Sequence, residues 1–301
     1  MALSNVALPG KVSIGAQVGA YVALTKPRII ELLLITTLPT MIVAQRGLPP
    51  LWLMAATLLG GALAAGGANA INMFIDRDID KLMHRTSKRP LVTGAVTPRR
   101  ALIFAITLEV LAFVELWAWV NLLSAVLAVS ATLFYVFVYT LWLKRTSSQN
   151  IVIGGAAGAV PVLVGWAAVT NSLTWTPVVL FAIIFVWTPP HFWALAVKYK
   201  DDYQAASVPM LPAVATFTRT AREILVYSVL LAAVSLLLAA VAHLGVIYVV
   251  SAAVLGVAFV AMAIRLLRQQ TAKAAMQLFS YSITYLTLLF VFMAVDVFTK
   301  H

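Results

Sequence analysis

Nine stretches of about 20 mainly apolar residues, each closed by charged or turn-forming segments, dominate this chain, and only a bilayer accommodates so many. They fall at about 28–45, 51–72, 101–120, 122–143, 150–170, 174–196, 223–243, 245–264 and 275–296. Water-free hydrocarbon forces the backbone to satisfy its own hydrogen bonds, so spans of this length are helices. The expected fold is all-α, a polytopic bundle of nine transmembrane helices. Apolar residues make up 62% of the chain and charged residues 10%, against about 45–50% and about 25% in soluble domains. The same figures exclude disorder. Absence of cysteine excludes a disulfide framework and thiolate metal sites. Residues 1–20 hold no continuous apolar run and read as a retained tail, leaving 21–301 as one transmembrane domain.

The net charge of +11 points to nucleic acid only if the basic residues gather on one soluble face. They gather instead in alternate connectors. Lys11, Lys26, Arg28, Arg77, Lys81, Arg85, Lys88, Arg89, Arg99, Arg100, Lys144, Arg145, Lys198, Lys200, Arg219, Arg222, Arg265, Arg268 and Lys273 fall on one side, which is 19 of the 21 basic residues. Arg46 and Lys300 fall on the other. Such a bias marks the cytoplasmic side. It predicts a cytoplasmic amino terminus, a periplasmic carboxyl terminus and no nucleic-acid partner.

Two connectors on the basic side are long, about 73–100 and about 197–222, and loops longer than about 12–15 residues are commonly functional. Five of the ten carboxylates lie in them. The first contains Asn72, Asp76 and Asp80 at four-residue spacing. Each step of four advances a helix by only about 40°, so all three oxygen-bearing side chains share a face while Asp78 points away. Three oxygen donors at the end of an apolar helix suit a hard cation such as Mg2+, commonly held by one or two carboxylates together with substrate phosphates. The competing reading is a solvated helix end with ordinary surface acids. Clustered ionisable groups at membrane depth favour function.

The second connector repeats the spacing with Lys198 and Asp202. Four spans separate the two connectors, an even number of crossings, so both open on the same face and can converge. Each follows the second helix of a four-helix block, which hints at an internal parallel repeat.

The motif Asn72-x-x-x-Asp76-x-x-x-Asp80 resembles the first signature of the UbiA superfamily of intramembrane prenyltransferases. The extension through His84-Arg85-Thr86 to Arg89-Pro90-Leu91 is similar to the protohaem IX farnesyltransferase (haem O synthase) branch of that superfamily. So are Leu143-Lys144-Arg145 with Asn150 to Gly155, Trp187-Thr-Pro-Pro-His191-Phe-Trp193, and Asp202-Tyr203 with Val208 to Pro212. The resemblance covers about residues 20–295. It departs at Lys198, where aromatic prenyltransferases usually place an aspartate, so a lysine charge can stand in for a second metal.

The resemblance implies a UbiA-type bundle in a bacterial inner membrane. It implies transfer of farnesyl from farnesyl diphosphate to a vinyl group of haem B with addition of water, giving haem O and diphosphate. Haem B is then a substrate, Mg2+ the cofactor, and terminal oxidase assembly machinery a partner. Asp76, Asp80, Lys198 and Asp202 become the catalytic candidates, and Asn72, Asp76, Asp80 and Asp202 the metal ligands. Arg28, Arg85, Arg89, Lys144 and Arg145 become diphosphate contacts, since guanidinium forks match phosphate oxygens and lysine adds a point charge.

Ionising an allylic diphosphate needs preorganised cations at the leaving oxygens and a dry cavity around the carbocation. Rings at Phe134, Tyr135, Phe137, Tyr139, Trp187, Phe192 and Trp193 can shield that cation, or simply pack. His191 follows Pro189-Pro190, where the chain is expected to leave regular helix. It is the first candidate for contacting haem, with His84 second; the plain alternative for each is a loop or capping histidine. Nothing in the sequence selects among Glu31, Glu109, Glu115 and Asp296.

A quinone-precursor prenyltransferase of the same fold and a membrane transporter are the competing functions. The transporter predicts ionisable residues near mid-bilayer and helices broken there. Pro39 and Pro161 interrupt two spans and leave that reading open.

Overall fold

The structure, a computed structural model, describes residues 13–299, with the side chains of residues 29 and 32–34 outside the description. Lys11 and residues 1–12 of the expected tail, and Lys300 and His301, lie outside the described residues.

Ten helices form the frame: α1 (Ile14–Thr25), α2 (Pro27–Gln45), α3 (Leu51–Ile75), α4 (Pro98–Trp119), α5 (Leu122–Thr146), α6 (Asn150–Thr170), α7 (Trp175–Lys198), α8 (Phe217–Val241), α9 (Val246–Gln269) and α10 (Ala272–Thr299). No strand occurs among the described residues. Helices α3 to α10 are each long and apolar enough to cross a membrane, eight in all, and α2 adds a ninth helix whose apolar part is Ile35–Gln45. The protein is a multi-pass membrane protein. Helix α1 straddles residue 20 and breaks from α2 at Lys26, whose left-handed backbone (φ 53°) turns the chain just before Pro27. Tyr21 of α1 packs edge-on against Phe104 of α4.

The helices form a bundle in which α6 and α7 are the most buried spans. Close packing rests on small residues. A Cβ at Gly67 of α3 would lie 2.6 Å from Glu109 Oε1 and 3.0 Å from the Ala105 carbonyl of α4, so the two helices approach only because that side chain is missing. Asn121 and Asp296 fasten the end away from the two long connectors. Asn121 caps α5 by accepting from Ser124 N–H at 2.8 Å, and its amide donates to Ala167 O of α6 at 2.7 Å. Asp296 of α10 accepts from the N–H groups of Gly245 and Tyr248 at 2.5 and 3.2 Å, capping α9.

Helix α7 departs from expectation. It runs unbroken through Pro189 and Pro190, so His191 stands on a helix and not in a loop. Each proline removes one backbone donor, and transmembrane helices tolerate this where neighbours and side chains satisfy the carbonyls set free. Thr188 Oγ1 donates back to Ile184 O at 2.8 Å beside the pair. Pro39 and Pro161 likewise sit inside continuous helices, against the broken spans a transporter predicts.

Both long connectors are folded caps. In the first, Ile79, Met83, Leu91 and Val96 are buried around the one-turn helices Arg77–Asp80 and His84–Thr86. Tyr203, Val208, Met210 and Leu211 do the same in the second.

Candidate active site

Helix α3 ends inside the Asn72–Asp76–Asp80 motif, yet its three side chains stay together. Asp76 is the C-cap (φ −82°, ψ 5°), followed by the turn Arg77–Asp80. Four-residue bonding survives the junction: Asp76 N–H donates to Asn72 O at 2.9 Å and Asp80 N–H to Asp76 O at 2.8 Å. Asn72, Asp76 and Asp80 are all buried, and Asn72 Nδ2 donates to Asp76 Oδ2 at 2.7 Å. Asp78 faces outward, as its offset requires.

Each side chain of the motif has a basic partner. Lys26 Nζ donates to Asn72 Oδ1 at 2.8 Å, Lys144 Nζ pairs with Asp76 Oδ2, and Arg89 Nη1 pairs with Asp80 Oδ2 at 2.5 Å. Arg145 makes two 2.8 Å bonds to Asp78 and lies 3.7 Å from Asp76 Oδ1. That bidentate guanidinium holds the Asp78 carboxyl well below the usual carboxylate range. Burial, with Arg89 and Lys144 nearby, pulls the Lys26 ammonium well below the usual lysine range.

The geometry of α5 delivers the two basic residues. Its segment Phe134–Leu143 is wound as a π-helix, a rare winding frequent at functional sites. Thr140 Oγ1 donates to Tyr135 O five residues back at 2.9 Å and accepts from Asn72 Nδ2 at 3.2 Å. Lys144, four residues on, then reaches Asp76. Tyr135 and Tyr139 stack at 5.3 Å, and a Cβ on Gly154 of α6 would fall 2.3 Å from the Tyr139 ring.

The second connector meets the first through Asp202. Its carboxylate accepts from the backbone N–H of Arg85 at 3.0 Å and of His84 at 3.3 Å. Arg85 lies 5.4 Å over the Tyr199 ring and near Tyr203, whose hydroxyl pKa is pushed up by burial. The two connectors therefore share one end of the bundle.

The expected metal quartet is only partly assembled. Among the described residues no three histidine, aspartate or glutamate side chains converge on a common point. Asp202 is spent on loop backbone, and Asp80 on Arg89. The best evidence that a cation fits is Asp76 Oδ1, a buried carboxylate oxygen without a hydrogen-bond partner, with Arg145 Nη2 3.7 Å away. An unsatisfied oxygen there costs about 1–3 kcal/mol and more for a charge, which a hard cation removes.

Other candidates are peripheral. Arg28 is exposed at the start of α2 and makes no ion pair among the described residues. Lys198 is exposed at the end of α7, 5.6 Å from the Tyr199 ring, and His84 is exposed. Glu109 and Glu115 pack against α3, where Glu109 accepts from Thr132 Oγ1 at 3.2 Å. Lys26, Thr140 and Tyr203 are polar contacts that spacing alone did not single out; the Lys26-Pro27 junction ahead of an apolar helix was the available signal for the first.

Next to this cluster lies an apolar cavity of about 310 Å3. Ala64, Ala68, Ala131, Gly158 and Val164 form its smooth part; Tyr135, Tyr139 and Phe192 contribute rings. It is at the lower end of ligand-pocket sizes, about 300–1,000 Å3. Its apolar lining suits a flexible hydrocarbon chain.

Residues 33–293 match the UbiA prenyltransferase family. A Renibacterium salmoninarum protein named protoheme IX farnesyltransferase is 53% identical over 295 residues, covering 96% of this chain and 93% of that protein. A digeranylgeranylglyceryl phosphate synthase structure superposes with a TM-score of 0.75 at 17% identity, covering 94% of this chain and 99% of that one. A UbiA homolog from Archaeoglobus fulgidus solved with DMAPP and Mg2+ gives 0.66 at 17% identity, covering 90% and 99%. These two likenesses are of fold. The family match and the 53% identity establish that the chain belongs to the UbiA prenyltransferase family.

Proposed function

We propose that this protein transfers a farnesyl group from farnesyl diphosphate to a vinyl group of haem B and adds water, giving haem O and diphosphate. The observation that carries the proposal is the cation-lined Asn72–Asp76–Asp80 cluster next to an apolar chamber. The name and identity of the Renibacterium relative support haem B as the acceptor over a quinone precursor.

The chain's residues divide the work by chemistry. The hydrocarbon tail lies in the apolar chamber. Lys26, now hydrogen-bonded to Asn72, and Lys144 and Arg89, now paired with Asp76 and Asp80, turn toward the diphosphate, with Arg85 and Arg145 at the rim. Arg28 and Lys198 supply outer charge that draws the anion in. Asn72, Asp76 and Asp80 would hold Mg2+, and Asp202 joins them if it leaves the His84–Arg85 backbone; bound there, the ion supplies Lewis-acid help to the leaving group. The allylic C–O bond breaks and its electron pair leaves on diphosphate. The vinyl carbon bonds to farnesyl C1, the cation formed beside the porphyrin takes the oxygen of water, and a proton is released. Stacked Tyr135 and Tyr139 keep water from the allylic cation before that bond forms.

The 19 basic residues on the connector side support a cytoplasmic site, in a bacterial inner membrane, with the amino terminus on the same side. The product, more apolar than its precursor, passes to terminal oxidase assembly. His191 and then His84 are the haem contacts we propose.

Expression in a bacterium lacking its own haem O synthase tests the reading. Extracted haem should include haem O with the intact chain and none with Asp76→Asn. Unmodified haem B alone, with the protein well inserted, overturns the acceptor; a prenylated benzoate would point to the quinone-precursor reaction.

A further inference from the structure

His191 is fixed on three sides. Its ring is stacked between Trp187, with centroids 4.1 Å apart and planes 18° apart, and Phe279 of α10, at 4.7 Å and 29°. Trp187 is itself pinned, since its Nε1–H donates to Ser282 O at 2.8 Å. In the ring plane, His191 Nδ1 lies 2.6 Å from Ser282 Oγ, and that same oxygen lies 2.6 Å from the carbonyl of Phe279. A hydroxyl has one hydrogen, and a carbonyl has none to give. Only one arrangement places a hydrogen in both contacts: the serine O–H donates to Phe279 O, and His191 Nδ1–H donates to the serine oxygen. The reverse would leave two acceptor oxygens facing each other at 2.6 Å.

We infer that Ser282 is a positioning residue that holds His191 as its neutral Nδ1–H tautomer, so that Nε2 presents a lone pair to the iron of the haem substrate. Nε2 has no hydrogen-bond partner among the described residues, and the residue is only partly buried. Which imidazole nitrogen binds a metal is set by the hydrogen bond the other nitrogen makes, and such outer partners orient the ring. The location suits the task. His191 stands seven residues before the end of α7, or about 10 Å of helical rise from the connector end. Thr188 and Phe192, on the adjoining face of the same helix, line the chamber. A porphyrin held at Nε2 thus lies on the flank of α7 beside the chamber. This inference rests on haem as the acceptor and goes beyond it by naming the ligating atom and the residue that selects it.

Two measurements on the purified full-length protein in detergent test it. Nitrogen-15 NMR of labelled histidine reads the tautomer directly: one of the four histidines should show the Nδ1–H form and switch on Ser282→Ala, while Ser282→Thr retains it. An Nε2–H ring at His191 in the wild type overturns the inference whatever the variants do. Titration with ferric haem, followed by absorption and magnetic circular dichroism, should show an imidazole-ligated iron that His191→Gly loses and added free imidazole restores. Ser282→Ala should weaken haem binding by about 10–100-fold. An unchanged iron spectrum in His191→Gly, from a protein that still makes haem O, overturns this assignment and leaves the reaction standing. A wild type that neither binds haem nor makes haem O overturns both.

Discussion

Asp202 accepts the backbone N–H of Arg85 at 3.0 Å across 117 positions of sequence. With His84 N–H as a second donor at 3.3 Å, one carboxylate ties the second connector to the turn that follows Asp80. The bond fixes Arg85 and, four residues later, Arg89 on Asp80. Asp202→Ala should leave both N–H groups without their acceptor, a loss of about 1.5–3 kcal/mol for bonds to a charged group. Hydrogen exchange at residues 84–86 should then accelerate by about tenfold or more while the spans stay protected. Unchanged exchange there refutes the tether.

Asp76 and Lys144 form the most buried ion pair of the site. Removing one partner strands the other's charge, which costs about 3–5 kcal/mol, whereas replacing both by neutral groups is close to neutral. Asp76→Asn should therefore lower the melting temperature sharply. The double variant Asp76→Asn with Lys144→Met should recover it without recovering haem O formation. Thermal scans of both in detergent check the pattern.

Lys26 gives the opposite signature. Its ammonium is buried against Asn72 and repelled by Arg89 and Lys144, so Lys26→Met should leave stability unchanged or raise it. Farnesyl transfer should fall by about 10²–10³-fold, the usual effect of deleting one preorganised group at a developing charge. Melting temperature and the farnesyl diphosphate dependence of the rate, measured together, separate this from a structural role.

What the sequence revealed and what it concealed follow from how local each feature is. The spans were legible because a run of about 20 apolar residues has one use in a bilayer. Asn72, Asp76 and Asp80 were legible because their spacing keeps one face even across the end of α3. Lys26 was not singled out, since its meaning comes from Asn72, 46 positions away. The π-helical turn of α5 was invisible for a like reason: its partners lie on α3, where Asn72 donates to Thr140 and Asp76 pairs with Lys144. The prolines before His191 read as a break on local grounds, and the packed bundle keeps them helical.

Gly154 makes room for Tyr139. Gly154→Ala should push that ring toward the chamber and cost about 1–3 kcal/mol of overpacking on the longer substrate chain. Competition between farnesyl and dimethylallyl diphosphate should shift toward the shorter donor by about tenfold. An unaltered preference would separate the cavity from the hydrocarbon tail.

Asp296, an acid with no role assigned from sequence, is a helix cap. Asp296→Ala should destabilise the protein by about 1–2 kcal/mol with KM for both substrates unchanged. A shift in haem affinity would contradict a purely structural role.

The most direct measurement reconstitutes the purified protein in bilayers with haem B, farnesyl diphosphate and Mg2+ in water labelled with heavy oxygen. The account predicts diphosphate and haem O in equal amounts, with one label in each haem O, and neither product after Asp76→Asn. Diphosphate released without haem O, or haem O formed at the wild-type rate by the Asp76→Asn protein, would contradict it.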